Sequence, residues 1–260
     1  IRFFKDKGQI LEGDKTISAI TKANPGVVTA TSHGYSDGDF VVISSVAGMT
    51  QVNGKTFKVS NKTTNTFELE DVDGNDINSS AYSTYTSGGT ANRIYQITTN
   101  YTTAQLFELK FAQSADILYI THPAHEVSKL SRTGHTSWTL SEVDFAETGP
   151  YLDANTTATT LTPASAGVAT GVNITASAIT GINSNAGFQT TDVGRILKFN
   201  SGEAKITART NTTVVVCTIT KAFTNTNATA SFQLGAWSDT DGFPSSVSFF
   251  QQRLVFAGST

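Results

Sequence analysis

The chain has 260 residues, 15% of them charged and 38% hydrophobic, with a net charge of −3. Tight binding to nucleic acid needs clustered Lys and Arg to displace counterions, and 18 basic against 21 acidic residues do not supply it. The longest apolar runs, such as Val214-Val215-Val216-Cys217, are strand-sized, so no membrane-spanning segment is expected, and the lone Cys217 excludes an internal disulfide. Thr, Ser, Asn and Gly crowd the sequence; branched Thr favours strands while Asn and Gly favour turns, which predicts an all-β protein.

Residues 1–12 read as a hairpin, with Gly8 placed to take the positive φ of the turn. Ile1 opens in mid-strand, so a piece of a longer polypeptide is expected. Residues 13–91 change texture. Strand runs at 26–30, 39–43, 55–59 and 65–69 are bounded by Asn and Gly, and Ser87-Gly88-Gly89-Thr90 closes a small inserted β-domain. Within it, Asp71, Asp73 and Asp76 flank Gly74 at a spacing that could wrap oxygen ligands around calcium. The Gly stands fourth rather than sixth and Tyr82 occupies the twelfth position, so a polar turn is the plainer reading.

Residues 92–150 return to the first texture, with a helical turn at 103–107 capped by Thr102 or Thr103, a hairpin at 109–121, and strands at 129–133 and 137–140, where Trp138 serves as an anchor. Residues 151–235 form a second inserted β-domain. Its segments 178–182, 192–197, 202–207 and 211–214 echo 27–30, 37–42, 54–59 and 65–67, although Thr/Asn-rich composition alone also produces such likeness. Residues 236–260 close the chain with another hairpin. Its Phe249-Phe250-Gln251 repeats the phrase Phe111-Ala112-Gln113, and a hairpin repeated at long spacing suggests blades of an incomplete, propeller-like scaffold interrupted by the two inserted domains.

Enzyme signals are absent, and no catalytic or cofactor-binding residue is assigned. His122, His125, Glu126 and His135 lie close in sequence, but Pro123 prevents a one-face helix, so loop histidines explain them better than zinc. His33 precedes Gly34 and is expected to make a local hydrogen bond. Glu142, Asp144 and Glu147 near Trp138 are the nearest candidates for paired carboxylates, with a polar linker as the alternative. Cys217, set among Val and Ile, reads as a small buried hydrophobe.

The stretch Thr103-Ala104-Gln105-Leu106-Phe107 through Asp116, with Thr121-His122-Pro123, Leu130-Ser131-Arg132, Ala236-Trp237-Ser238-Asp239 and Phe249-Phe250-Gln251-Gln252-Arg253-Leu254, resembles the tail nozzle, or tail tubular protein B, of short-tailed bacteriophages and prophages. Residues 24–90 resemble a small β-domain first named in the ubiquitin-activating enzyme. The nozzle resemblance implies a structural virion protein, not an enzyme, assembled in the bacterial cytoplasm. It implies a homo-oligomer forming a six-fold ring that contacts a tail adaptor protein and tail fibres or spikes, with DNA passing through the lumen without specific binding. A carbohydrate-binding adhesin using Tyr82, Tyr85 and Trp237 is the alternative.

Overall fold

The computed structural model describes residues 1–145 and 150–258. Among these residues the chain is all-β: the helical segments are single 3-10 turns, and no helix is long and apolar enough to cross a membrane. It divides into two compact units, one holding residues 1–99 and 133–138, the other residues 100–132 and 139–260.

In the first unit, β1 (Phe4–Lys5) and β2 (Gly8–Gln9) form the expected hairpin, but the turn differs from expectation. Asp6 and Lys7 carry the positive φ, at 53° and 70°, while Gly8 lies in β2 opposite Lys5. A two-residue hairpin demands left-handed backbone at its central pair, and here an Asp and a Lys accept it. Phe3 stacks on Trp138 with ring centroids 4.4 Å apart.

The main body of this unit is one seven-stranded antiparallel sheet made of β3 (Leu11–Thr16), β4 (Ala19–Ile20), β5 (Val27–Thr29), β6 (Phe40–Ala47), β7 (Lys55–Ser60), β8 (Thr66–Glu70) and β9 (Ser87–Ile94). Its spatial order is β3-β9-β6-β7-β8-β5-β4. Alternation decides which side chains enter the core: Phe57 and Val59 from β7, Phe67 and Leu69 from β8, Val41 and Ile43 from β6. Beyond Ile43 the alternation of β6 breaks, because Ser45 adopts φ 59° where β9 has Gly89 at φ 95°; the pairing register is unchanged across this point, and Val46 returns to the core. A Cβ on Gly89 would lie 2.4 Å from Val46, so glycine is required there.

Next in the chain comes a four-stranded sheet, β10 (Lys110–Ser114), β11 (Ile117–His122), β12 (His125–Gly134) and β13 (Ser137–Glu142), in sequential order; it lies in the second unit except for residues 133–138, which belong to the first. The second unit also holds a six-stranded antiparallel sheet of β14 (Leu161–Pro163), β15 (Val172–Ala176), β16 (Ile196–Phe199), β17 (Gly202–Asn211), β18 (Val214–Lys221) and β19 (Phe232–Leu234), and a hairpin of β20 (Ser246–Phe250) and β21 (Arg253–Ala257). The six-stranded sheet runs β14-β15-β18-β17-β16-β19. Taken in chain order, that is the connectivity of β4-β5-β8-β7-β6-β9 in the first unit, with every pairing antiparallel in both.

The likeness reaches the hydrogen bonds. Gly38 (φ 91°) donates its N–H to the Val59 carbonyl at 2.9 Å and Val59 donates to Asp39 at 2.8 Å. Gly194 (φ 96°) donates to Ile206 at 2.8 Å and Ile206 to Arg195 at 2.9 Å. The core of this sheet includes Ile174, Leu197, Ile206, Val215, Ile219 and Phe232, with Cys217 packed among them as read from its neighbours.

The repeated phrase does not occupy equivalent positions. The first hairpin turns at Ala115 and Asp116, so Gln113 pairs with Leu118 inside the ladder; the second turns at Gln251 and Gln252, both left-handed. Matching the phrases by sequence therefore misplaces one hairpin by two residues. A two-residue shift keeps every side chain on its face, which is why the hydrophobic pattern does not betray it.

Candidate functional site

β11 and β12 meet through Pro123 and Ala124, and the alternation of β12 sends His125 and Glu126 to opposite faces. On one face His122 and His125 approach with ring centroids 5.1 Å apart. His122 Nδ1 accepts the Ala124 N–H at 3.0 Å, and its Nε2 stands 3.1 Å from Glu108 Oε2. His125 Nδ1 faces the Asn100 amide at 3.3 Å, and its Nε2 faces Gln105 Oε1 at 3.0 Å. Burial, with His122 alongside, holds the His125 imidazole below its ordinary pKa, and both of its nitrogens face hydrogen-bonding partners. His135 lies in the other unit, with Nε2 3.3 Å from Lys5 Nζ.

On the other face Glu126 borders a cavity of about 350 Å³ within the second unit. β13 reaches it through Glu142, held beside β12 where Val143 donates to the Val127 carbonyl at 2.7 Å. β17 contributes Lys205, and the turn before β16 contributes Gly194. Phe145, Trp237 and Phe243 supply the apolar wall, Phe145 meeting Trp237 edge to face at 5.0 Å. The Glu126 side chain is half-buried and hydrogen-bonds that of Glu142. Burial first, then this carboxylate pairing, pushes its pKa up to about 7, with Lys205 opposing the rise. A Cβ on Gly194 would stand 2.9 Å from Glu126 Oε1, so a larger residue there would require the end of the Glu126 side chain to shift, and the φ of 96° itself favours glycine.

The carboxylates that the sequence groups around Trp138 thus separate. Glu142 and Asp144 do reach a concave site, but the partner of Glu142 there is Glu126, and the aromatic wall is Phe145 and Trp237. Trp138 instead belongs to the first unit, where its backbone N–H meets Tyr95 Oη at 3.0 Å. Glu147 lies outside the described residues. Sequence reasoning misses Glu126, which reads there as a neighbour of loop histidines; the strand period of β12 is the signal that finds it.

Asp71 stands in a turn. Asp71 Oδ1 accepts the backbone N–H groups of Asp73 and Asn75, each at 2.9 Å, and Oδ2 accepts the Asn75 amide at 2.9 Å. These bonds hold the Asp71 carboxyl below the usual range, and among the described residues no group of three His, Cys, Asp or Glu side chains gathers around a metal position. Asp73 and Asp76 join no such group. His33 makes the expected local bond, accepting the Tyr35 N–H at 3.0 Å. Tyr82 and Tyr85 are partly buried against the first core, Tyr85 Oη donating toward the Ile17 and Gly88 carbonyls at 3.0 Å, so they form no exposed aromatic platform.

A buried ionic hub supports the cavity from beneath. Arg195, 1% exposed, donates to the Gly235 carbonyl at 2.7 Å, to Asn183 Oδ1 at 2.7 Å and to Asp192 Oδ1 at 2.9 Å, and also pairs with Asp241. Asp192, fully buried, further accepts the Gln189 N–H at 2.7 Å, Asn183 Nδ2 at 2.6 Å and Thr240 Oγ1 at 2.9 Å. Both cavity glycines, Gly194 and Gly235, sit on this frame.

Comparison with known proteins places a family match on residues 23–94, to the ubiquitin-activating enzyme E1 FCCH domain; this is well under half of the chain. Relatives include ubiquitin-like modifier-activating enzyme 1 from Oryctolagus cuniculus, Rattus norvegicus and Mus musculus. Each is 54% identical over 41 residues, which is 15% of this chain and 4% of the relative. The chain therefore spans only a small part of the length of these proteins. These matches overturn the reading as a tail nozzle subunit of a virion, with its genome-exit role and its assembly in a bacterial cytoplasm, and the virion adhesin offered beside it. The named similarity is instead to ubiquitin-like modifier-activating enzymes. The two hairpin phrases, for their part, are out of register with each other by two residues, which weakens their reading as equivalent blades.

Proposed function

We propose that the chain is a non-catalytic recognition component, in which an FCCH-like β-domain is carried beside a second small β-domain of the same connectivity, and the cavity beneath Trp237 is the ligand-facing site. In this reading the hairpins at either end and the four-stranded sheet act as the frame, with the two small domains inserted into it. Ubiquitin-like modifier-activating enzyme 1 is named for an activation reaction, and what this chain shares with it is one β-module. Covalent thiol chemistry would fall to Cys217, which is fully buried with its thiol pushed up to about 12, far from a thiolate at neutral pH.

The observation that carries the proposal is the meeting of a proton-sharing carboxylate pair with an aromatic wall in one concave site, the usual build of a small-ligand pocket. The test is an NMR titration of the whole chain with a fragment library. Shifts confined to Gly194, Gly235 and the Trp237 indole, with every fragment recovered unchanged, are expected. Chemical conversion of a fragment, or shifts that spare the cavity, would overturn the reading.

A further inference from the structure

We propose that the cavity bordered by Glu126, Glu142 and Trp237 takes an organic ammonium ion, a cationic nitrogen on a short apolar body; this rests on the recognition role assigned to the cavity above. Three carboxylates, Glu126, Glu142 and Asp144, line the cavity against one ammonium, Lys205. Asp239 adds to the negative field at Glu126. The charged groups of the lining thus carry a negative balance, which disfavours an anionic ligand.

A bare divalent metal ion fits poorly, because among the described residues no three ligating side chains converge, and it would leave the Phe145–Trp237 wall unused. An organic cation uses both halves of the site: its charge faces the carboxylates and its apolar body lies against the indole, where the ring face also attracts a cation. Gly194 leaves the Glu126 carboxylate its present position, which a Cβ there would displace.

Binding also engages a proton. Glu126 faces Glu142 from β13, Lys205 from β17 and Asp239 from the segment after β19, and a cation at this point favours its ionised form. Uptake near neutral pH therefore releases a proton.

The experiment is calorimetric titration of the whole chain with tetramethylammonium and n-butylammonium chlorides, with sodium n-butyrate as the anionic counter-probe. Cation dissociation constants of about 1 mM are expected, with no butyrate binding up to about 50 mM. At pH 7 the apparent enthalpy is expected to differ between phosphate and Tris buffers, as proton release requires. Glu142→Gln and Trp237→Leu should each weaken cation binding roughly tenfold, whereas Lys205→Met, by removing the resident cation, should tighten it several-fold. Melting by circular dichroism checks each variant, and Lys205→Met with Glu142→Gln carries the test if Trp237→Leu fails to fold. Butyrate binding as well as the cations, or Lys205→Met weakening them, overturns the proposal. If uncharged fragments shift Gly194 and Gly235 while both cations do not, the ligand class falls and the cavity reading stands. If no probe shifts them, both fall.

Discussion

Arg195 shows how one side chain can decide a local structure. Its guanidinium is enclosed and satisfies a backbone carbonyl, an amide and two carboxylates at once. Removing the cation would leave Asp192 buried and charged with no counter-ion, and breaking a buried pair from one side costs about 3–5 kcal/mol. Arg195→Met is expected to destabilise the second unit by that amount in urea unfolding followed at the Trp237 indole. Arg195→Lys should recover part of it, since an ammonium cannot span the same fork of acceptors.

Glu126 makes the opposite contribution. Its folded pKa, about 7, lies above the ordinary carboxylate value, so the folded state holds a proton that the unfolded chain has lost. Stability from this group is therefore full at low pH and falls as pH rises from about 4.5 to about 7. Glu126→Gln is expected to flatten that slope and to stabilise the protein above pH 7 by on the order of 1 kcal/mol, a figure discounted for the half-exposed side chain. Melting temperatures of the two proteins across pH 5–8 would show it; parallel curves would contradict it.

At the level of strands, alternation is readable wherever one face is buried. The runs at 39–43, 55–59 and 65–69 fall on β6, β7 and β8 because Val41, Phe57 and Phe67 each pack inward with period two. Turns are less readable. Gln tolerates both a ladder position, as Gln113, and a left-handed turn, as Gln251, so the repeated phrase conceals its own offset. The cavity is hidden for a related reason: its carboxylates come from β12, β13 and the segment just after β13, and its aromatic wall from beyond residue 143, a meeting that depends on tertiary structure.

The matched glycine junctions before β6 and β16 allow a controlled comparison. Gly38 and Gly194 have nearly the same φ, but a Cβ at Gly38 meets nothing within 4 Å whereas one at Gly194 strikes Glu126. Gly38→Ala should cost about 1–2 kcal/mol from backbone conformation alone. Gly194→Ala should cost more, and combining it with Glu126→Ala should return it toward the Gly38 value. Equal costs for the two single variants in chemical denaturation would show that the clash is relieved by side-chain movement.

For the whole molecule the question is which parts of the chain fold as bodies. The core of the first sheet is drawn entirely from residues between Ile17 and Ala91, and its edge strands β3 and β4 are paired on one side only, by β9 and β5. A domain is expected to fold alone when its buried apolar set closes on itself, and here that set includes Val28, Val41, Ile43, Phe57, Val59, Phe67 and Leu69, all buried. The stacking of Phe3 on Trp138 lies outside this core and adds a satellite contact. The segment 11–99, expressed by itself, is therefore expected to show a strand-type circular dichroism spectrum and one cooperative thermal transition. Its dispersed amide signals should match those of the same residues in the whole chain. The six-stranded sheet makes a stricter case, because Arg195 reaches Asp241, beyond β19. A segment ending at residue 235 would strip the hub of that carboxylate, and it is expected to melt below the same segment extended to residue 243. Equal melting of the two lengths would mean that the Arg195–Asp241 pair contributes nothing to that sheet.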